Sequence, residues 1–271
     1  FYALQLPGSM KLANAHKFIQ DRKGNFWILT SGEGMYFLSD DFKTYRHFSF
    51  NPREDSAGIQ DNFLFCILED QAGKIWVGSQ NNGISIFDPE SQVFQYIRHN
   101  RSNPQSLPDN SVFDIEEDPD GQVWVATENG LARFDKKDHR IKVFTDAEGL
   151  PNSNIASLLL DKESKIWLAT NSGLAVLNRK DGSFHNFGQL DGLASNRMRS
   201  ASYMSPDGTV FFSTTSAISW CDNKHLFVNA IPPEVYITGL KVYNGTQAVQ
   251  RSGNQLQAVS MSYTRNLLEV E

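Results

Sequence analysis

Residues 70–78 read Asp70-Gln71-Ala72-Gly73-Lys74-Ile75-Trp76-Val77-Gly78. The first four have the composition of a type I turn, with Asp at the first position and Gly at the last. The turn is preceded by an apolar run at 64–68 and followed by an apolar strand at 75–77. Two more strand-like segments follow, at 84–87 and 93–97, separated by polar or Pro-containing breaks. This unit therefore predicts four short antiparallel strands.

The same pattern of a turn followed by an apolar strand occurs five times along the first 230 residues. The copies are marked by an aromatic residue in the second strand, and successive copies are 43 to 49 residues apart: Trp27, Trp76, Trp124, Trp167 and Phe211. The fourth copy has Ser164 in place of the turn Gly, and the fifth has Ser205 in place of Asp. A period of this length with four strands per unit predicts β-propeller blades. Because one four-stranded sheet cannot bury both faces, we expect each aromatic residue to fill the wedge between adjacent blades.

These repeats divide the chain into two parts. Residues 1–230 are predicted to be propeller, with residues 1–13 as the tail of a preceding blade and five units near 14–50, 62–99, 110–145, 154–188 and 196–229. The incomplete first repeat predicts a larger propeller in the parent protein. The pair Pro232-Pro233 indicates a linker, and the alternating segments that follow it predict the truncated start of a β-sandwich over 231–271. The predicted fold class is therefore all-β, with propeller blades followed by the beginning of a sandwich.

Composition narrows the possible partners. The chain has 271 residues, 40% of them hydrophobic, and a formal net charge of −6. An acidic chain without a basic stripe argues against nucleic acid as a partner. The sequence has no apolar run of roughly 20 residues, the length that spans a bilayer. Its two cysteines, Cys66 and Cys221, set no disulfide framework and are expected to be small apolar core residues.

The sequence offers no catalytic, cofactor or metal constellation. Its six histidines have no metal-ligand spacing. The carboxylates that repeat once per unit, at Asp21, Asp70, Asp118 and Asp161, are expected to lie far apart and to serve their own turns. We therefore predict no catalytic residue, no metal ligand and no cofactor in this chain.

Asparagines recur in the connections between units, at Asn14, Asn62, Asn110, Asn154 and Asn196. Asn side chains commonly bond nearby backbone, so a structural role in these turns is expected. The alternative is that the connections surround one mouth of the central channel and that a few of these amides contact a ligand.

The candidate ligand-binding residues are Asn196, Arg197 and Arg199. Arg197 and Arg199 place two cations at positions where other units have apolar residues. A guanidinium can bind a carboxylate or sulfate of an acidic sugar through two hydrogen bonds. The alternative is an ordinary ion pair, for example with Asp191. A second polar loop contains Arg101 with Asn100, Asn103 and Gln105 and is expected to be merely solvated.

Two motifs carry a family resemblance. The unit Ile75-Trp76-Val77-Gly78 and the connection Gly149-Leu150-Pro151-Asn152-Ser153-Asn154 resemble the two-component regulator propeller repeat. The segments near 232–243 and 261–270 resemble the β-sandwich that follows such propellers. This resemblance implies a periplasmic sensor of a hybrid two-component system, with the parent anchored in the inner membrane and a cytoplasmic histidine kinase. It also implies an oligosaccharide or other small ligand, contacts with the rest of the receptor chain and a possible homodimer.

Two other classes of function stay open. Propellers also form carbohydrate-active enzymes of the lyase or lactonase type, which would need catalytic groups converging at the channel mouth. They also form protein-interaction platforms, which exposed aromatic residues on a blade rim would favour.

Overall fold

The structure is a computed structural model that describes residue 7, residues 12–52 and 58–222, and three short strands beyond residue 239. The chain divides into two compact units, Phe1–Leu226 and Phe227–Glu271. In the first unit every described strand pairs antiparallel with its sequence neighbour, and each group of strands forms a separate sheet. Each sheet is one blade of a propeller.

Four blades have four described strands and the fifth has three. Blade 1 contains β1 (Ala15–Gln20), β2 (Phe26–Thr30), β3 (Met35–Leu38) and β4 (Tyr45–Phe48). Blade 2 contains β5 (Leu64–Glu69), β6 (Ile75–Ser79), β7 (Ile84–Asp88) and β8 (Val93–Ile97). Blade 3 contains β9 (Val112–Glu117), β10 (Gln122–Thr127), β11 (Gly130–Asp135) and β12 (Arg140–Phe144). Blade 4 contains β13 (Ile155–Leu160), β14 (Lys165–Thr170), β15 (Gly173–Asn178) and β16 (Phe184–Phe187), and blade 5 contains β17 (Met198–Met204), β18 (Thr209–Thr214) and β19 (Ile218–Asp222).

Two short 3₁₀ turns complete the described part of the first unit. Asp146–Glu148 and Gln189–Asp191 lie in the connections that lead into blades 4 and 5. Each ends at a glycine with positive φ, Gly149 or Gly192, a conformation that side chains disfavour. None of the described helical segments is long and apolar enough to cross a membrane.

The repeated tryptophans fill the wedges between blades, which confirms the prediction from the sequence. Trp27, Trp76, Trp124 and Trp167 are each at most 2% exposed. Trp76 packs with Ile115, Val123 and Phe134 of blade 3, and its ring centroid lies 5.6 Å from that of Phe134. Because each indole contacts the following blade, the core is a series of wedges and not one central cluster.

Each turn carboxylate is bonded to the tryptophan of its own blade. Asp70 Oδ1 accepts the backbone N–H groups of Ala72 and Lys74, both at 2.9 Å, and Oδ2 accepts Trp76 Nε1 at 3.0 Å. The same indole-to-carboxylate bond, 2.9 to 3.1 Å long, joins Trp27 to Asp21, Trp124 to Asp118 and Trp167 to Asp161. In blade 5 both partners change together, to Ser205 and Phe211. The carboxylates are therefore turn residues, as predicted, and they also satisfy a buried indole.

Cations from the following blade reach two of these carboxylates. Lys136 Nζ lies 3.1 Å from Asp70 Oδ2 and also pairs with Glu117, while Arg179 Nη1 lies 2.6 Å from Asp118 Oδ2. Lys136 and Arg179 occupy equivalent places, each directly after the third strand of its blade. Burial raises the pKa of Asp70, but bonds from Lys74, Trp76 and Lys136 outweigh it and hold this pKa below the usual value. Adjacent blades are thus joined by polar contacts as well as by the apolar wedge.

Other parts of the sequence prediction have mixed outcomes. Cys66 and Cys221 are free thiols, and burial raises the pKa of the fully buried Cys66 thiol.

In the second unit the structure describes β20 (Leu240–Val242), β21 (Gly245–Thr246) and β22 (Leu268–Val270), paired in the order β21-β20-β22. The β-sandwich stays a prediction, and most of the predicted blade tail at 1–13 lies outside the described residues.

Candidate ligand-binding site

The first strand of every blade contains an irregularity at the same place. In β1 the register with β2 shifts between Ala15 and Lys17, so His16 has no partner in the ladder. The equivalent extra residues are Phe65 in β5, Phe113 in β9 and Ala156 in β13, and in β17 the shift between Met198 and Ser202 includes Arg199. A β-bulge of this kind re-aims a side chain out of the regular alternation of a strand.

The bulge residues of all five blades line one cavity of about 480 Å³, which we call the axial cavity. Consecutive first strands contact each other, β1 with β5, β5 with β9, β9 with β13 and β13 with β17. The rest of the lining is formed by Asn154, Asn171, Met198 and Ser200. The five inner strands therefore bring together side chains that are far apart in sequence.

The lining of the axial cavity combines aromatic, cationic and amide groups. The rings of Phe65 and Phe113 are stacked, with centroids 5.7 Å apart and an angle of 28° between their planes. Arg199 is exposed, and no described carboxylate lies within ion-pair distance of it. Aromatic faces can pack against apolar faces of a ligand, and a guanidinium can bind its carboxylate or sulfate. Asn154 and Asn171 add amide donors and acceptors.

The three residues singled out from sequence are not brought together. Arg199 lines the axial cavity, but Arg197 and Asn196 do not. Asn196 Oδ1 accepts the backbone N–H of Gln189 at 2.8 Å, so this amide fixes the connection into blade 5. Neither arginine pairs with Asp191, whose Oδ2 accepts the Gly188 N–H at 2.8 Å.

Two other asparagines of the series play the same role as Asn196. Asn62 Oδ1 accepts Phe50 N–H at 2.7 Å, and Asn110 Oδ1 accepts His99 N–H at 2.8 Å. The structural role expected of these asparagines is therefore confirmed at three of the five positions. Asn154 lies at the axial cavity, which is the alternative place considered for some of them.

Two acidic side chains of β9, Asp114 and Glu116, are half-buried and follow the bulge residue Phe113 in sequence. Asp114 Oδ2 accepts Leu158 N–H at 3.1 Å, and Glu116 Oε2 accepts Leu160 N–H at 3.2 Å, so both carboxylates bond the inner strand of blade 4. Lys17 Nζ of blade 1 lies 3.4 Å from Asp114 Oδ1. Burial, followed by repulsion from Asp114, raises the pKa of Glu116 to about 7, and Lys17 and the Leu160 N–H offset this only in part.

The shifted pKa of Glu116 predicts a pH dependence of stability. Between the ordinary value of 4.5 and about 7, the folded state binds a proton that the unfolded chain does not, so the free energy of unfolding falls as pH rises through this window. We expect Glu116→Gln to flatten that fall relative to the parent and to raise the unfolding temperature above about pH 7. Thermal unfolding followed by circular dichroism across this range measures it. Glu128→Gln, at an exposed position, is the control; superimposable profiles for parent and Glu116→Gln would contradict the assignment.

His16, Phe65 and Phe113 are the site residues that the sequence prediction missed. They follow the recurrent asparagines by two or three residues, as Arg199 follows Asn196. That offset was visible in the sequence. However, an alternating strand pattern gives no warning that one residue is extra, so it did not indicate that these side chains share a cavity.

Comparison with known proteins identifies the repeat. Residues 58–81, 106–129 and 149–172 match the family model described as two component regulator propeller. Each matched segment covers a connection and the first two strands of blade 2, 3 or 4. A search of curated protein sequences found no match.

Solved structures share the fold at low identity. One is described as the extracellular domain of a hybrid two component system, BT3049 of B. thetaiotaomicron, with 22% identity over 85% of this chain and a TM-score of 0.68. Another is the extracellular domain of a one component system, BT4673 of the same organism, with 18% identity over 89% of this chain and a TM-score of 0.61. The chain spans 31% and 32% of those two proteins, about a third of their length.

An enzyme also appears among the similar structures. A catalytically inactive virginiamycin B lyase from Staphylococcus aureus, solved with quinupristin, has 18% identity over 77% of this chain and 70% of its own, with a TM-score of 0.56. At these identities the similarity shows the fold alone, which receptors and enzymes both use.

Proposed function

Since the chain carries two-component regulator propeller repeats, we propose that it is part of the ligand-sensing region of a hybrid two-component histidine kinase and response regulator. In this proposal the chain is periplasmic and its parent is anchored in the inner membrane. The ligand is a glycan fragment, and its binding is signalled through the rest of the receptor chain, which can form a homodimer, to a cytoplasmic kinase. The extracellular domains that share this fold support the assignment to a receptor.

The observation that carries a binding role is the lining of the axial cavity. Each of its five bulge residues is left out of the strand ladder, so none of them is required for the pairing that builds a blade. Arg199 has no described ion-pair partner, so a ligand anion would not have to displace one. The stacked Phe65 and Phe113 rings offer an apolar face beside it. This combination suits a saccharide that bears a carboxylate or sulfate.

Ligand binding at this site is tested with acidic oligosaccharides and the full chain. We expect a saturable interaction by isothermal titration calorimetry and a rise in unfolding temperature, because a ligand of the native state stabilises it by mass action. Arg199→Gln should weaken the affinity roughly tenfold or more, since a hydrogen bond to a charged group contributes about 1.5–3 kcal/mol. Arg197→Gln is the matched control and should bind like the parent, because Arg197 does not line the cavity.

Three results would count against the axial cavity as a sensing site. Equal ligand affinity of the Arg199→Gln variant and the parent would show that Arg199 does not bind the ligand. Conversion of the saccharide, detected by mass spectrometry after incubation, would favour a propeller enzyme of the lyase or lactonase type. A chain that binds no saccharide but captures another segment of its receptor would favour an interaction platform.

A further inference from the structure

One wedge of the propeller is packed differently from its neighbours. Between blades 1 and 2, Phe48 and Phe94 meet with ring centroids 6.0 Å apart, and between blades 3 and 4 the equivalent pair Phe144 and Phe184 meets at 6.1 Å. The strand registers place Ile97 and Ile141 at the same two positions between blades 2 and 3. Two smaller side chains therefore stand where the adjacent wedges have a pair of phenyl rings.

A cleft of about 1140 Å³ is found at this wedge, and we call it the blade 2–3 cleft. Its apolar wall includes Trp76, Ile97, Phe134 and Ile141. The wedge between blades 1 and 2, which has the phenyl pair, contains a smaller cavity of about 450 Å³, so the two isoleucines go with a larger open space. The volume of the blade 2–3 cleft is slightly above the range for small-molecule sites, roughly 300–1,000 Å³, so it suits an extended ligand of several units better than a single sugar ring.

The charged residues of the cleft are mostly cationic. Among the described residues that line it, Lys74, Arg98, Arg101 and Lys136 are cationic and Asp70 is the single carboxylate. Asp70 is already engaged by Trp76 and Lys136, and Lys136 is also paired with Glu117, so the positive charge open to a ligand is that of Lys74, Arg98 and Arg101. The whole chain carries a net charge of −6, so this local excess of positive charge runs against its overall balance. Such a concentration of cations in a concave site favours an anionic ligand.

The loop that forms one rim of the cleft is held in place by its own hydrogen bonds. Asn100 O accepts Asn103 N–H at 2.9 Å, Asn103 O accepts Ser106 N–H at 3.1 Å, and Ser106 Oγ accepts Asn100 N–H at 2.8 Å. Arg101 projects from this loop and is exposed. A rim that is ordered before binding reduces the entropy lost when a ligand is bound. The sequence indicated only a solvated loop here.

An aromatic ring and amides complete the cleft. Tyr96 is 37% exposed, and the guanidinium of Arg98 lies 5.4 Å from its ring centroid. Arg98 Nη2 also donates to Gln60 Oε1 at 2.7 Å, which fixes the cation beside the ring. Gln95, Asn103 and Gln105 bring amide groups to the same lining. Ring faces and amides complement the two faces and the hydroxyls of sugar units, while the cations complement acidic substituents.

We propose that the blade 2–3 cleft is a second ligand site, which binds an oligosaccharide bearing carboxylate or sulfate groups. It is separate from the axial cavity and shares no lining residue with it. Arg101 and Lys74 bind the acidic groups, and the exposed ring of Tyr96 takes the apolar face of a sugar unit. The site goes beyond the proposed sensing role and does not require the axial cavity to be occupied.

The test uses calorimetry on the full chain with three probes: a sulfated heparin-derived hexasaccharide, a galacturonate hexamer and neutral maltohexaose. We expect one or both acidic probes to bind and maltohexaose to bind roughly tenfold more weakly or not at all. The double variant Ile97→Phe, Ile141→Phe rebuilds the phenyl pair of the adjacent wedges and should abolish this binding. Its thermal unfolding shows whether it folds.

Single-site variants keep the test decisive if the double variant does not fold. Arg101→Gln should weaken acidic-probe binding roughly tenfold, whereas Arg140→Gln, a neighbouring arginine outside the cleft, should not change it. Arg199→Gln separates the two sites: it should leave binding at the cleft intact even where it affects the axial cavity. The proposal is overturned if neither acidic probe binds, if maltohexaose binds equally well, or if binding survives the double variant and is lost in Arg199→Gln. Poly-glutamate serves as an additional, non-sugar anion. If it binds while neither acidic sugar does, the proposal is overturned in favour of a protein partner.

Discussion

Replacing Trp76 with alanine is expected to lower the free energy of unfolding by about 3–5 kcal/mol, as for other large buried aromatic residues. The side chain is 2% exposed and packs against blade 3, so its loss opens a void between two blades. It also leaves Asp70 Oδ2 without its indole donor, although Lys136 still contacts that oxygen. The loss therefore combines a cavity with a weakened polar contact.

Urea unfolding followed by circular dichroism measures this change as a shift of the midpoint. Trp220→Ala is the matched control, because Trp220 is 68% exposed in β19 and its removal should change the free energy of unfolding by no more than about 0.5 kcal/mol. Similar effects of the two substitutions would show that Trp76 does not join the blades.

Asp118→Ala is expected to be about as destabilising, at about 3–5 kcal/mol, because it leaves a buried cation without its partner. The Asp118 carboxylate accepts Trp124 Nε1 at 2.9 Å and Arg179 Nη1 at 2.6 Å, and it is 2% exposed. The Arg179 side chain is only 11% exposed, so water cannot readily replace the carboxylate. Asp120 Oδ2, 3.5 Å from the same guanidinium nitrogen, is a weaker substitute.

A double-mutant cycle with Arg179→Met isolates the contact between blades 3 and 4. If the ion pair is the main source of the effect, the double variant should be more stable than the sum of the single losses predicts, by roughly 1–3 kcal/mol. The readout is again the urea midpoint. Strict additivity would mean that Asp118 acts only within its own turn, through the N–H groups of Asp120 and Gln122.

The repeat made the fold predictable because its signals agree at several levels. Turn residues such as Asp70 and Gly73, the apolar strands around Trp76 and the period of the aromatic residues all indicated the same blade, and the structure confirms it. The burial of Trp76 followed from the need of each sheet to cover its faces. The change of Asp and Trp to Ser205 and Phe211 in blade 5 was also visible, but the bond that links the two positions was not.

The parts that could not be predicted depend on contacts between repeats. Lys136 and Arg179 lie in polar turns whose sequence does not show that they reach the preceding blade. The axial cavity depends on bulges, and the blade 2–3 cleft depends on two isoleucines that are ordinary strand residues by themselves. Arg199 was singled out because its charge differs from the equivalent residues. Ile97 and Ile141 differ from the equivalent phenylalanines of the adjacent wedges only in the size and shape of an apolar side chain, which draws no attention in a sequence.

The bulge in each first strand also bears on how such a protein can change. His16, Phe65 and Arg199 face the cavity from positions that are paired with no other residue in their sheets. A substitution there alters the shape and charge offered to a ligand while the tryptophan wedges stay as they are. In the proposed sensing role, ligand specificity can therefore change one blade at a time, while a different set of residues maintains folding stability.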